Sequence, residues 1–202
     1  MLKRTLLIAA CLLSGVALSA LLSGAAAQQP AMPSPNQQPP QPNNQGPSMG
    51  ERTGVNPALN ITPSTQEFVK DVATSDMFEI ASSRLAAERG DAKTKEFANR
   101  MLADHQKTSS ELKSMLQSQK IGVTPPADLD ETHQQKIDKL KQLKGGDFDK
   151  RYGEDQIDAH DEAVSLFQRY AKSGDNPALK EWAAKTVPTL QSHQQMAQAL
   201  PH

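Results

Sequence analysis

The sequence predicts an all-α domain, a four-helix bundle with one short extra helix in its longest connection. Three observations carry that expectation. No segment alternates polar and apolar residues with period two over strand length, four long segments repeat apolar residues at helical spacing, and helix-start and helix-stop residues bracket each of them. Four helices of ~25 residues would each be about 38 Å long, the size of an ordinary bundle.

The elements follow in order. Ser64-Thr65-Gln66-Glu67 has the form of a capping box and opens a first helix running to about Arg89, where Gly90 supplies a left-handed stop. Asp91 caps a second helix with Phe97, Met101, Leu112 and Leu116 on one face, ending near Gly122 before Pro125-Pro126. Asp128 starts a shorter amphipathic helix to Lys144, closed by Gly145-Gly146. Asp147 caps the third long helix, which carries Phe148, Tyr152, Val164 and Phe167 and stops at Gly174. Asn176-Pro177 begins the fourth, with Leu179, Ala183, Leu190, Ala197 and Leu200 in phase and Pro188 positioned to kink it. The stretch from Gly122 to Gly146 is too long for a hairpin and has its own helix. It suits a chain that returns along the bundle, as in bundles of the ferritin type with one long crossover.

Before this domain lie two other segments. Lys3 and Arg4 lead an apolar run from Leu6 to Leu22, followed by Ala25-Ala26-Ala27, so residues 1–27 read as an export signal with the mature chain starting at Gln28. An uncleaved membrane anchor is the competing reading, although the run is near the lower limit of ~17–25 residues for a span. Ile8-Ala9-Ala10-Cys11 imitates a lipoprotein box, but most of the apolar region follows it. Residues 28–63 are rich in Pro, Gln and Asn with almost no large apolar side chain before Val55, and they read as a disordered, partly polyproline linker reaching on the order of 110 Å when extended. Asn60-Ile61-Thr62 fits a glycosylation sequon, a motif that recurs by chance. Residues 64–202 form the bundle domain.

Composition limits the chemistry. Cys11 is the only cysteine and leaves with the signal, so the domain has no disulfide and no thiol nucleophile. Loss of Lys3 and Arg4 takes the formal charge from −1 to −3, which argues against nucleic acid as a partner. No transmembrane segment is expected in the mature chain, and the expected location is periplasmic or secreted, with outer-membrane association and an envelope protein partner as extensions of that reading. There is no Gly-x-Ser-x-Gly elbow and no phosphate loop, so hydrolase chemistry has least support. Asp147, Asp149 and Asp158 only loosely imitate a calcium loop and are better explained as helix-start residues. Met77, Met101, Met115 and Met196 are too dispersed for a copper-thioether run.

One constellation stands out. His105 lies in the series 97, 101, 105, 108, 112; His160 is in phase with Gln156, Val164 and Phe167; His193 follows Leu190 by three; and Glu79 shares a face with Val72, Ser75, Ser82 and Ala86. At ~1.5 Å per residue all four fall within one or two turns of the midplane. Two readings fit. The first is that these groups bond one another and Asp104, Tyr152 or Asp155 as a structural polar cluster that fixes helix register in a non-enzymatic exported binding or envelope module; the alternative is a mononuclear metal-binding or redox protein in which Glu79, His105, His160 and His193 hold one divalent transition metal, as neutral imidazoles with a carboxylate do. No catalytic residue is assigned. His133 falls on the stripe of the connecting helix, where no site is expected, and His202 is terminal.

Phe97-Ala98-Asn99-Arg100-Met101-Leu102-Ala103-Asp104-His105, then Phe148-Asp149-Lys150-Arg151-Tyr152, His160, Val187-Pro188-Thr189-Leu190 and His193 carry a resemblance. Over roughly Thr65 to Leu200 the chain resembles the "domain of unknown function 4142" family. That resemblance implies an exported bacterial protein, often labelled an outer-membrane protein, with a ferritin-like helical fold and no established activity. Di-iron bundles of the wider ferritin-like group use two Glu-x-x-His elements. Here Leu102, Ile157 and Leu190 stand three before the histidines, which argues against a di-iron centre.

Overall fold

The computed structural model describes residues 61–202; the expected export signal and nearly all of the expected linker lie outside the described residues. Five helices make up the described region: α1 (Thr65–Arg89), α2 (Ala92–Ser118), α3 (Glu131–Gln142), α4 (Gly145–Ser173) and α5 (Pro177–Ala197). No strand occurs among the described residues, and none of these helices is long and apolar enough to cross a membrane.

Several helix ends match their sequence signals and several do not. Ser64 and Glu67 close the capping box reciprocally, Asp91 accepts from the Thr94 amide at 2.7 Å, and Asn176 accepts from the Leu179 amide at 3.1 Å with Pro177 in the first turn. Gly90, expected to be left-handed, is instead extended at φ −66°. A Cβ there would lie 2.5 Å from Thr94 Cγ2, so glycine is required by the close approach of α2. The left-handed residue after α2 is Lys120, at φ 52°, and the helix ends earlier than Gly122, at Ser118.

The cap of α3 is Asp130 and not Asp128, because Asp130 accepts from both the His133 amide and the His133 ring. Gly145, at φ 54°, belongs to the first turn of α4, so Asp147 lies inside that turn and does not cap it. Lys144 occupies the cap position without a side-chain bond. Helix α5 continues through Pro188 to Ala197.

Aromatic contacts fix the topology. Phe68 near the start of α1 stacks on Tyr170 near the end of α4, with centroids 3.9 Å apart, and meets Trp182 of α5 at 6.3 Å. At the opposite end, the Asp91 amide donates to Asp149 at 3.0 Å and the Lys93 ammonium donates to the Ala199 carbonyl. Helices α1 and α5 therefore run one way, α2 and α4 the other. Neighbouring pairs α1–α2, α4–α5, α1–α4 and α2–α5 are all antiparallel, and α3 returns the chain from the end of α2 to the start of α4 while packing on α1 and α4. This is the expected bundle with one long crossover.

The core has two apolar halves. One gathers Phe68, Val72, Leu112, Phe167, Tyr170, Leu179, Trp182 and Leu190; the other gathers Ala86, Phe97, Met101, Leu140, Phe148, Tyr152 and Leu200. Trp182 thus sits at a helix junction, with its indole N–H donating to Glu111 at 2.9 Å. Between the halves runs a buried polar layer of Asp76, Glu79, Ser82, His105, Gln156, His160 and His193. That layer costs desolvation energy that apolar side chains would not, and it is where a function is to be sought.

Candidate metal centre

Each long helix contributes to this layer at similar depth. Asp76 and Glu79 come from α1, His105 from α2, Gln156 and His160 from α4, and His193 from α5. The three imidazoles are 3%, 1% and 1% exposed in chain order, and their ring centroids lie 5.8, 5.6 and 5.4 Å apart pairwise. One ring nitrogen from each falls within 4.8 Å of those of the other two.

Every ring is held by an acceptor on its outer side. His105 Nδ1 is 2.8 Å from Asp76 Oδ1, His160 Nδ1 is 2.8 Å from the Gln156 carbonyl, and His193 Nε2 is 2.9 Å from Asp104 Oδ2. Carboxylates and carbonyls accept only, so the ring proton sits on the bonded nitrogen and the other nitrogen of a neutral ring keeps its lone pair. Those other nitrogens, His105 Nε2, His160 Nε2 and His193 Nδ1, have no hydrogen-bond partner.

The electrostatics divide the rings. Burial, the charge on His105 and the nearness of His193 drive the His160 pKa down to about 3 against the help of the Gln156 carbonyl, so this ring is neutral at ordinary pH. Burial also lowers His193, and Asp104 only partly offsets it. His105 is likewise opposed by burial, but the Asp76 bond and the charges of Glu79, Asp76 and Asp104 outweigh it and raise its pKa. Asp76 is itself raised by burial and steadied by His105 and by Ser109, whose hydroxyl donates to Oδ2 at 3.0 Å.

Glu79 is 1% exposed, and neither of its oxygens has a hydrogen-bond partner. Burial raises its pKa to about 7 against the pull of His105 and of the neighbouring Gln156 amide. Its carboxylate does not join the set of atoms lying within 4.8 Å of one another, so the structure brings together three of the four sequence candidates in that set and leaves the fourth out of it. Of the residues named as a structural polar cluster, Asp104 does bind a histidine, His193. Tyr152 instead pairs with Ser83 at 2.9 Å, and Asp155 with Arg151 at 2.9 and 3.0 Å, because each lies one turn or more towards the far end of the bundle. His133 bonds Asp130 at 2.9 Å and stands 5.2 Å from the Phe78 ring, away from the centre.

Asp76 was missed, and Gln156 was placed on the face of His160 without a role of its own. Asp76 falls in the series 72, 76, 79, 83, 86, the stripe that a strict helical count selects, and Gln156 lies one turn before His160. Beside His105 is a cavity of about 20 Å³ bordered by Val72, Asp76, Ala163, Phe167 and Leu190, enough for one water molecule.

Comparison with known sequences adds a decisive observation: the profile described as "Domain of unknown function (DUF4142)" matches residues 50–200. The chain belongs to the DUF4142 family. No match was found among curated protein sequences. Two solved structures share the fold of this DUF4142 domain. One is CopM in its Cu(II)-bound form, at 16% identity and a TM-score of 0.58 over 69% of this chain and 96% of CopM. The other is a DUF305 fragment from Deinococcus radiodurans, at 14% identity and a TM-score of 0.58 over 69% of this chain and 97% of the fragment. At such identities the likeness speaks to the DUF4142 fold alone.

Proposed function

We propose that this DUF4142 protein binds one divalent transition-metal ion through His105, His160 and His193, as an exported metal-binding module. The observation that carries the reading is the row of unpartnered atoms. Six buried side-chain atoms of the central layer lack a hydrogen bond: one nitrogen on each histidine, both Glu79 oxygens and Gln156 Oε1. At roughly 1–3 kcal/mol each, they would forfeit on the order of 10 kcal/mol, comparable with the ~5–15 kcal/mol stability of a whole domain. A cation among the three nitrogens gives a partner to half of those atoms.

The donor set suits such an ion. Imidazole favours zinc, copper, iron and nickel, and each ring is already oriented through its other nitrogen by a carboxylate or carbonyl, as histidine ligands ordinarily are. Metal–nitrogen bonds of ~2.0–2.1 Å need the rings to close by about an ångström from their present spacing. The copper-bound state of CopM, a protein of the same fold, is consistent with this chemistry.

A second reading has its own support. Each imidazole already has one protein partner, so the layer can be a polar belt that sets helix register in a non-enzymatic envelope module. Metal analysis of protein purified without a nickel column, with His105→Ala alongside, separates the two. Stoichiometric metal lost in the variant supports the first; metal-free protein whose melting temperature ignores chelators supports the second. Export rests on Lys3, Arg4, the Leu6–Leu22 run and Ala25-Ala26-Ala27. Mass spectrometry of protein from a periplasmic extract tests it, with a mature N-terminus at Gln28 expected.

A further inference from the structure

Glu79 and Gln156 present oxygens that the three-histidine reading does not use. Both Glu79 carboxylate oxygens and Gln156 Oε1 are buried without a donor, although the two residues are neighbours and Glu79 acts electrostatically on His105. Gln156 is held in this orientation: its Nε2 donates to Ser82 Oγ at 3.4 Å, its main-chain carbonyl receives His160, and Ser82 Oγ donates on to the Glu79 carbonyl at 3.3 Å. Its amide oxygen is thereby left over. What is missing is a donor with two hydrogens and a lone pair.

We propose that the metal held by His105, His160 and His193 keeps a fourth position for a water molecule, whose two O–H groups are received by Glu79 and Gln156. The inference rests on the three-histidine reading. A metal-bound water gives its lone pair to the ion and has two hydrogens to place, and acceptor-only oxygens of a carboxylate and an amide receive them. The Glu79 carboxylate is not in the 4.8 Å nitrogen set yet acts electrostatically on His105, as a group that meets the metal through a water would. Three protein ligands plus one water is the pattern of sites that exchange ligands, whereas purely structural sites fill all four positions with protein. The ligand class for that position is a small molecule that, like water, gives a lone pair to the ion and donates hydrogen bonds to the two acceptors.

The test uses the full chain loaded with Cu(II), with bound copper measured in the same samples that are read by pulsed electron paramagnetic resonance in H₂O and D₂O. Ordered exchangeable deuterons coupled to copper are expected in the wild type. Per bound copper, their signal is expected to fall at least twofold in Glu79→Leu and in Gln156→Leu, the second variant serving if the first does not fold. One copper per chain without exchangeable deuterons, or with a signal unchanged in both variants, overturns the water site and leaves the three-histidine reading standing. Wild-type protein that takes up no stoichiometric copper overturns both.

Discussion

Asp76 and His105 face each other across the α1–α2 interface with Oδ1 and Nδ1 2.8 Å apart, both nearly sealed from solvent. In the neutral, metal-binding form of the ring the carboxylate fixes which nitrogen carries the proton and so leaves the lone pair on His105 Nε2, the nitrogen without a hydrogen-bond partner. A polar group of α1 thus decides what a ring of α2 can bind.

Asp76→Asn tests that dependence. An asparagine of the same shape can offer its NH₂ to Nδ1, reversing the tautomer and turning Nε2 into a donor. Affinity for Zn(II) is expected to fall about 10–100-fold while the fold survives. Titration calorimetry of wild type and variant reads it, and an unchanged affinity would contradict the orienting role.

Glu79 is expected to destabilise the metal-free protein. Its two buried oxygens have no partner, so Glu79→Leu removes an unmet polar demand and keeps the volume. A gain of about 1–3 kcal/mol in urea unfolding of chelator-treated protein is the expected outcome. A loss of similar size would mean that Glu79 has a partner in solution.

The fold was legible because its signals are local. Periodicity, the Ser64–Glu67 box, Asp91 and Asn176 each act within a turn or two of chain, and they mark elements that the structure contains. Ends fixed by other helices were not legible: Gly90 is dictated by Thr94 and Ala86, and the start of α4 by how Gly145 turns. At the site, sequence spacing brought His105, His160 and His193 to one depth. It could not reveal that Glu79 sits outside their set or that Asp76 does the orienting, because both depend on how α1 is rotated about its axis. One residue's difference along a helix moves a side chain by about 100°.

Asp71 carries a pH signature of its own. Burial raises its pKa to about 7 from 3.8, with Lys70 and Arg169 opposing and Glu67 assisting. The unfolded chain loses this proton near 3.8 and the folded chain near 7, so the folded state binds more protons between those values. The stability Asp71 lends is present at low pH and is lost as pH rises through about 7. Asp71→Asn should remove this loss, so its melting temperature relative to wild type should climb from pH 4 to pH 7.5 by an amount equivalent to roughly 2–4 kcal/mol. A difference that stays flat with pH would contradict the raised value.

The most direct test of the central claim counts the imidazoles around a bound ion. Full-length protein loaded with one equivalent of Cu(II) should give electron–nuclear double resonance from three imidazole nitrogens, falling to two or losing the ion in His160→Ala. Copper bound by fewer than three imidazoles in the wild type, or a spectrum that His160→Ala leaves unchanged, would contradict a metal centre at His105, His160 and His193.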